Sequence, residues 1–189
     1  MIKFTNVVKK YKDDIILDNI SFEITKPGLY IFNGVNGSGK STILKLILNI
    51  IYKTSGEIES NYTYSYLPDK YKMPSLINSY DYINMLSTSS KSNLYIRAFD
   101  LPNKKIMNLS KGNFAKLGII QILSNDKECY IFDEPLDGLD SKSIDIFKSF
   151  ISEMLQSKVI IMSLHDNSKF LSLLPKIYLV KDGKLYEKK

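Results

Sequence analysis

Apolar and polar positions along the chain change period several times, and the changes divide it into strand-like and helix-like segments. Ile2 to Val7 and Ile20-Ser21-Phe22-Glu23-Ile24 alternate, which predicts half-buried strands. Lys26-Pro27-Gly28 is a turn, and Leu29-Tyr30-Ile31-Phe32 is a short apolar strand running straight into a glycine-rich loop. Ser41 to Ile51 reads as a helix apolar on nearly all sides, which places it against a sheet. Tyr62 to Leu67 is a further strand, stopped by Pro68. Downstream, a helix over Asn113 to Leu123 precedes a strand over Glu128 to Phe132. Ser141 to Leu155 carries Ile144, Phe147, Ile151 and Leu155 on one stripe and predicts another helix. Val159 to Met162 (strand), Asn167 to Leu174 (helix) and Ile177 to Val180 (strand) complete the series. Such alternation predicts an α/β domain built on a largely parallel sheet.

Between Asp69 and Asn108 the composition shifts to Tyr, Ser, Asn and Met, with helical spacing in Leu76, Ile77, Tyr80, Ile83 and Met85. This segment is expected to form a small helical insert. No internal repeat, low-complexity tract or linker interrupts the chain, so one domain over residues 1–189 is expected.

Composition narrows the classes. At 44% apolar and 24% charged residues the chain has the make-up of a soluble globular domain, not of a disordered one. A single cysteine, Cys129, excludes an internal disulfide and reads as a small buried hydrophobe, in keeping with a reducing compartment. The net charge of +6 is spread over lysines without a long block, so a solvated surface explains it better than a nucleic-acid footprint. The apolar stretch near Ile43 to Ile51 is broken by Lys45 and Asn49 and falls short of the ~20 residues that span a bilayer. The N-terminus lacks the apolar core of a signal peptide. Any membrane channel this protein serves is therefore expected on another chain.

Two motifs carry chemistry. Gly34-Val35-Asn36-Gly37-Ser38-Gly39-Lys40-Ser41 matches the phosphate loop G-x-x-x-x-G-K-[ST], with a strand before it and a helix after it. The glycines let backbone N–H groups converge on phosphate oxygens, and the helix aims its positive end at the same place. Lys40 can reach the β- and γ-phosphates, and Ser41 offers a hydroxyl to Mg²⁺. Downstream, the apolar strand Tyr130-Ile131-Phe132 ends in Asp133-Glu134-Pro135. Carboxylates at the carboxyl end of a parallel strand face the ligand crevice. Asp133 is the expected partner of Mg²⁺, and Glu134 the expected base or orienting group for an attacking water.

At these residues the chain resembles the nucleotide-binding subunits of ATP-binding cassette transporters. The phosphate loop has the form Gly34-x-Asn36-Gly37-x-Gly39-Lys40-Ser41-Thr42, which brings Asn36, Gly37, Ser38, Gly39 and Thr42 into the expected nucleotide contacts. Leu109-Ser110-Lys111-Gly112-Asn113 resembles the signature segment, Leu139-Asp140 the D-loop, and His165 the switch histidine. Tyr11 lies where the family carries an aromatic that stacks on adenine. The resemblance implies a P-loop NTPase core, an N-terminal antiparallel β part and a helical insert at 69–112. It also implies MgATP held between the phosphate loop of one subunit and Ser110 and Gly112 of a second, with Asp140 at the same junction. Glu134, His165 and Lys40 are the implied catalytic groups, and Ser41, Asp69 and Asp133 the metal-side groups. A separate transmembrane permease, of exporter type by the lean insert, would hold the subunit at the cytoplasmic face of the membrane.

The chain departs from the family at three places. Asp69 stands where a Gln is usual, Lys111 replaces the first of two signature glycines, and Asn113 replaces Gln. Met73, Leu76, Ile77, Tyr80, Tyr82 and Met85 read equally as a groove for a partner helix or as the insert's own core. The chain ends soon after His165, which leaves no room for a regulatory domain. Two other readings stay open from sequence: a soluble cassette ATPase acting on nucleic acid or ribosomes, and a nucleotide-binding regulator that does not hydrolyse.

Overall fold

A computed structural model describes residues 1–188. Two sheets organise it. The strands β1 (Ile2–Tyr11), β2 (Asp14–Ile24) and β4 (Ser55–Ser60) form an antiparallel sheet in the order β2-β1-β4. A second sheet contains β3 (Gly28–Asn33), β5 (Tyr64–Leu67), β6 (Cys129–Asp133), β7 (Val159–Leu164), β8 (Lys176–Lys181) and β9 (Lys184–Lys188) in the order β5-β6-β7-β3-β8-β9. Its first five strands run parallel, and β9 turns back antiparallel on β8. The α/β architecture expected from the alternation is thus the one observed.

Every residue of β6 and β7 is buried, as befits parallel strands covered on both faces. Helix α1 (Lys40–Ile47) buries Ile43, Leu44, Leu46 and Ile47 in one core, which it shares with the antiparallel sheet and with Phe32, Ile131 and Ile161 of the parallel sheet. The expected helix over Ser41 to Ile51 therefore stops earlier, and Asn49 adopts φ 52° just past its end. The opposite face of the parallel sheet packs on α4 (Lys111–Leu123) and α5 (Ser141–Met154) through Leu117, Ile120, Phe147 and Ile151. Helices α2 (Ser79–Leu86) and α3 (Ser92–Ala98) lie between β5 and α4 in the chain and join the same core through Ile83, Tyr95 and Ile96. Met73, Tyr80 and Tyr82 pack against that core, whereas Leu76 and Met85 are exposed.

Two edge strands have no apolar alternation to announce them. β4 reads Ser-Gly-Glu-Ile-Glu-Ser and β9 reads Lys-Leu-Tyr-Glu-Lys, and main-chain pairing rather than burial defines both. The expected helix over Asn167 to Leu174 is instead a 3-10 turn over Ser168–Leu173 that buries Phe170. No described helix is long and apolar enough to cross a membrane.

Candidate functional site

Because β3, β5, β6 and β7 are parallel, their carboxyl ends share one edge of the sheet. Asn33, Leu67, Asp133 and Leu164 end these strands, so the segments that follow them meet there. The glycine-rich loop leaves β3 at Gly34 and enters α1 at Lys40. Gly39 has φ 105°, and a Cβ on Gly34 would lie 2.5 Å from the Val180 carbonyl and 2.7 Å from Ser38 Oγ. Both positions therefore need glycine for the loop to fold this tightly. The Lys40 ammonium turns back over the loop, donating to the carbonyls of Gly34 at 2.8 Å and Val35 at 3.1 Å. It also lies 3.2 Å from Glu134 Oε1. Ser38 Oγ is buried without a hydrogen-bond partner among the described residues.

Asp133 is buried at the end of β6, and the Ser41 hydroxyl donates to its Oδ1 at 3.0 Å. Burial pushes its carboxyl above the usual range; hydrogen bonds from Ser163 and Ser41 oppose the shift, and the nearby Asp69 and Glu134 charges add to it. Glu134 follows with φ 48°, a left-handed conformation rare outside glycine. That turn swings its carboxylate away from Asp133 toward Lys40 and His165, and His165 Nδ1 lies 3.2 Å from Glu134 Oε2. His165 follows β7, where Asn33 Nδ2 donates to the carbonyls of Leu164 and His165, both at 3.2 Å.

A cleft of about 320 Å³ collects most of the residues expected from sequence: Tyr11, Asn36, Gly37, Gly39, Lys40, Ser41, Thr42, Asp69 and Glu134 line it. Ser38 lines the neighbouring cleft with Asn36, Gly37 and His165. Tyr11 closes β1, half-exposed, with the Lys9 ammonium 4.5 Å from its ring centroid.

Ser110, Gly112 and Asp140 occupy other surfaces. Ser110 caps α4, its Oγ accepting the Asn113 N–H at 3.2 Å. Asp140 caps α5, accepting the Ser143 N–H at 2.7 Å; hydrogen bonding from the Ser143 side chain first, and from its backbone second, holds its carboxyl below the usual range. A Cβ on Gly112 would lie 3.1 Å from the Gly138 carbonyl, so the start of α4 abuts the loop after β6. Lys111 bridges to Asp137 of that loop at 3.0 Å. Sequence reasoning missed this pair and also Ser163, a lone hydroxyl in an otherwise apolar strand.

The residues fit a nucleoside triphosphate with Mg²⁺. Backbone donors of a tight loop, a helix N-terminus, a lysine and a Ser–Asp pair at one point make such a cradle. Mg²⁺ bound largely through phosphate oxygens and water needs only one or two protein oxygens. Relieving the cost of a buried, charged Asp133 is a task for such a cation.

A phosphate loop entering a helix from an interior strand of a parallel sheet defines a P-loop NTPase. Residues 17–137 match the ABC transporter family. The chain is 35% identical to the cytochrome c biogenesis ATP-binding export protein CcmA of Reclinomonas americana, over 85% of this chain and 82% of that protein. It is 32% identical to the zinc import ATP-binding protein ZnuC of Rickettsia bellii, over 80% of this chain and 70% of that one. Its fold superposes on the dimeric structure of MJ0796, a bacterial ABC transporter cassette, with a TM-score of 0.83 at 22% identity, covering 100% of this chain and 98% of that one. The chain belongs to the ATP-binding subunits of ABC transporters, a family of ATPases.

Proposed function

We propose that this subunit hydrolyses MgATP as half of a head-to-tail dimer and thereby drives a separate membrane permease. The observation that carries the reading is the division of the site. Lys40, Ser41, Asp133, Glu134 and His165 converge at one sheet edge. Ser110 and Gly112 lie instead at the start of α4, lining neither cleft beside the phosphate loop. An exposed helix start with a hydroxyl suits the γ-phosphate of a partner's nucleotide, and Asp140 lies at the adjoining loop.

In this reading the backbone N–H groups of residues 36–42 wrap the phosphates and Lys40 neutralises them. Tyr11 stacks on the adenine. Ser41 and Asp133 would hold Mg²⁺, with Asp69 as a further metal-side group, and the ion would supply charge neutralisation for the phosphates. Glu134 accepts the proton of the attacking water, and His165 fixes the Glu134 carboxylate and meets the γ-phosphate. Residues 69–112 act as the insert that meets the permease, with Leu76 and Met85 exposed on it. The subunit then resides on the cytoplasmic face of the membrane.

Exporter-type coupling rests on the lean insert and on the likeness to an export protein. The likeness to a zinc import protein makes import the second reading. The deciding experiment is sedimentation of Glu134→Gln with and without MgATP. A monomer that dimerises only with MgATP supports the sandwich. A variant that binds ATP and stays monomeric overturns the homodimer and points to a different second subunit. Copurification with a small integral membrane protein tests the permease, and flux into or out of vesicles carrying both chains tests the direction.

A further inference from the structure

β7 is buried along its whole length and apolar except for one residue, Ser163, which has no accessible surface. A hydroxyl in such a place needs partners. The parallel register sets Ser163 directly beside Asp133 on the neighbouring strand. Its Oγ donates to Asp133 Oδ1 and accepts the backbone N–H of Glu134 at 3.0 Å. The same N–H reaches the Ser163 carbonyl at 3.2 Å. One residue therefore grips both acids, the first by its carboxylate and the second by its backbone.

Each grip has a consequence. The hydroxyls of Ser41 and Ser163 both converge on Oδ1 of Asp133, and no hydrogen bond among the described residues reaches Oδ2. The carboxylate is thus fixed in rotation with one oxygen left for another partner. At Glu134 the chain turns left-handed, with φ 48°. A non-glycine residue persists there only when its surroundings hold it. The two acceptors of Ser163 hold the Glu134 N–H, and this turn is what sends the carboxylate to Lys40 and His165.

We propose that Ser163 is a positioning residue for ATP hydrolysis: it orients Asp133 toward the metal and sets the backbone turn that presents Glu134 to the water. The proposal rests on the roles given above to Asp133 and Glu134. Ser163 touches neither nucleotide nor metal and acts through these two residues, so its loss falls on turnover and on Mg²⁺ dependence rather than on nucleotide capture by the loop.

The test compares Ser163→Ala and Ser163→Thr in the full chain. Phosphate release is measured against ATP and against Mg²⁺, nucleotide binding is followed calorimetrically as Mg²⁺ is raised, and melting temperature is recorded. For Ser163→Ala, kcat is expected to fall about tenfold and the Mg²⁺ midpoint of nucleotide binding to rise about tenfold, the low end of the effect of losing a group that supports a metal ligand. KM for ATP should stay within about twofold of wild type, since the phosphate loop is untouched. Ser163→Thr keeps the hydroxyl and should restore most of both losses. A folded Ser163→Ala protein with wild-type kcat and Mg²⁺ midpoint overturns the proposal. So does equal loss of activity in both variants with a lower melting temperature and an unchanged Mg²⁺ midpoint, which would mean packing alone. A wild-type chain that neither binds nor hydrolyses MgATP would instead sink the underlying reading of the site, whatever the variants do.

Discussion

Lys40 Nζ lies 3.2 Å from Glu134 Oε1 while donating to two carbonyls of its own phosphate loop. The ammonium proposed to meet the phosphates and the carboxylate proposed to face the water thus lie against each other. Lys40 is 5% exposed and Glu134 18%, so the pair is largely out of water, where charge interactions strengthen. Phosphates entering the loop must exchange these partners for their own oxygens. Glu134→Gln removes one competitor for Lys40 and also the proposed base. The expected outcome is a split: turnover falls by ~10²-fold or more, while ATP binding to the monomer tightens modestly. Fluorescent-nucleotide titration beside a phosphate-release assay reads both. Weaker binding in the variant would show that the carboxylate assists nucleotide entry.

Lys40→Ala strips the phosphates of their point charge. A charge-assisted hydrogen bond is worth ~1.5–3 kcal/mol, so ATP affinity should fall by roughly 10- to 100-fold. Calorimetric titration with MgATP checks this. Unchanged affinity would mean that the loop amides suffice and that Lys40 serves only to tie Glu134.

Asp69 lines the same cleft as Lys40 and Glu134, at the position where the resemblance implies Gln. Its charge adds to the negative potential around Asp133. Asp69→Gln relieves that potential and keeps an oxygen for a water, so turnover should be preserved or raised. Steady-state ATPase measurement decides. Complete loss of activity would assign the carboxylate a specific role that an amide cannot fill.

The parts of this site legible in the sequence are those whose chemistry depends on spacing. Lys40 and Ser41 stand at fixed offsets from the glycines, and Asp133 and Glu134 stand at the end of an apolar run, so strand-end geometry located them. Ser163 was invisible because its meaning comes from lateral register with Asp133, a contact across 30 residues of sequence. The left-handed turn at Glu134 was equally hidden, since no glycine marks it. For the fold, buried parallel strands such as β6 and β7 announced themselves by composition. β4 was missed because its single large apolar residue, Ile58, leaves no period to read, and pairing with β1 alone defines it.

Burial raises the hydroxyls of Tyr71 and Tyr95 to about 12, with Tyr82 adding to the first shift and Tyr130, Glu153 and Asp126 to the second. In the unfolded chain these groups ionise near 10. The native state therefore holds their protons more tightly than the unfolded state. Their contribution is fully present below about pH 10 and is lost as pH rises through about 12. Alkaline titration should show tyrosinate absorbance rising cooperatively with loss of circular dichroism in that window. A gradual titration of all 13 tyrosines with the fold intact would contradict the burial assigned to these rings.

Gly118 sits within α4, where alanine would ordinarily favour the helix by ~1 kcal/mol. Here a Cβ would lie 2.3 Å from the Tyr71 hydroxyl oxygen, 2.8 Å from Cζ and 3.0 Å from Leu67 Cδ1. Tyr71 cannot withdraw freely, because its ring stacks on Phe114 with centroids 5.1 Å apart and its hydroxyl donates to the Phe114 carbonyl at 3.3 Å. Overpacking of this kind costs ~1–3 kcal/mol, so steric cost exceeds propensity gain and Gly118→Ala should lower Tm. Tyr71→Phe deletes the atom nearest the new methyl. The double variant Gly118→Ala/Tyr71→Phe should therefore be more stable than the sum of the two single changes predicts, by ~0.5 kcal/mol or more. Thermal unfolding of the four proteins in the cycle measures the coupling. Additive effects would mean that the backbone of α4, rather than Tyr71, absorbs the methyl group.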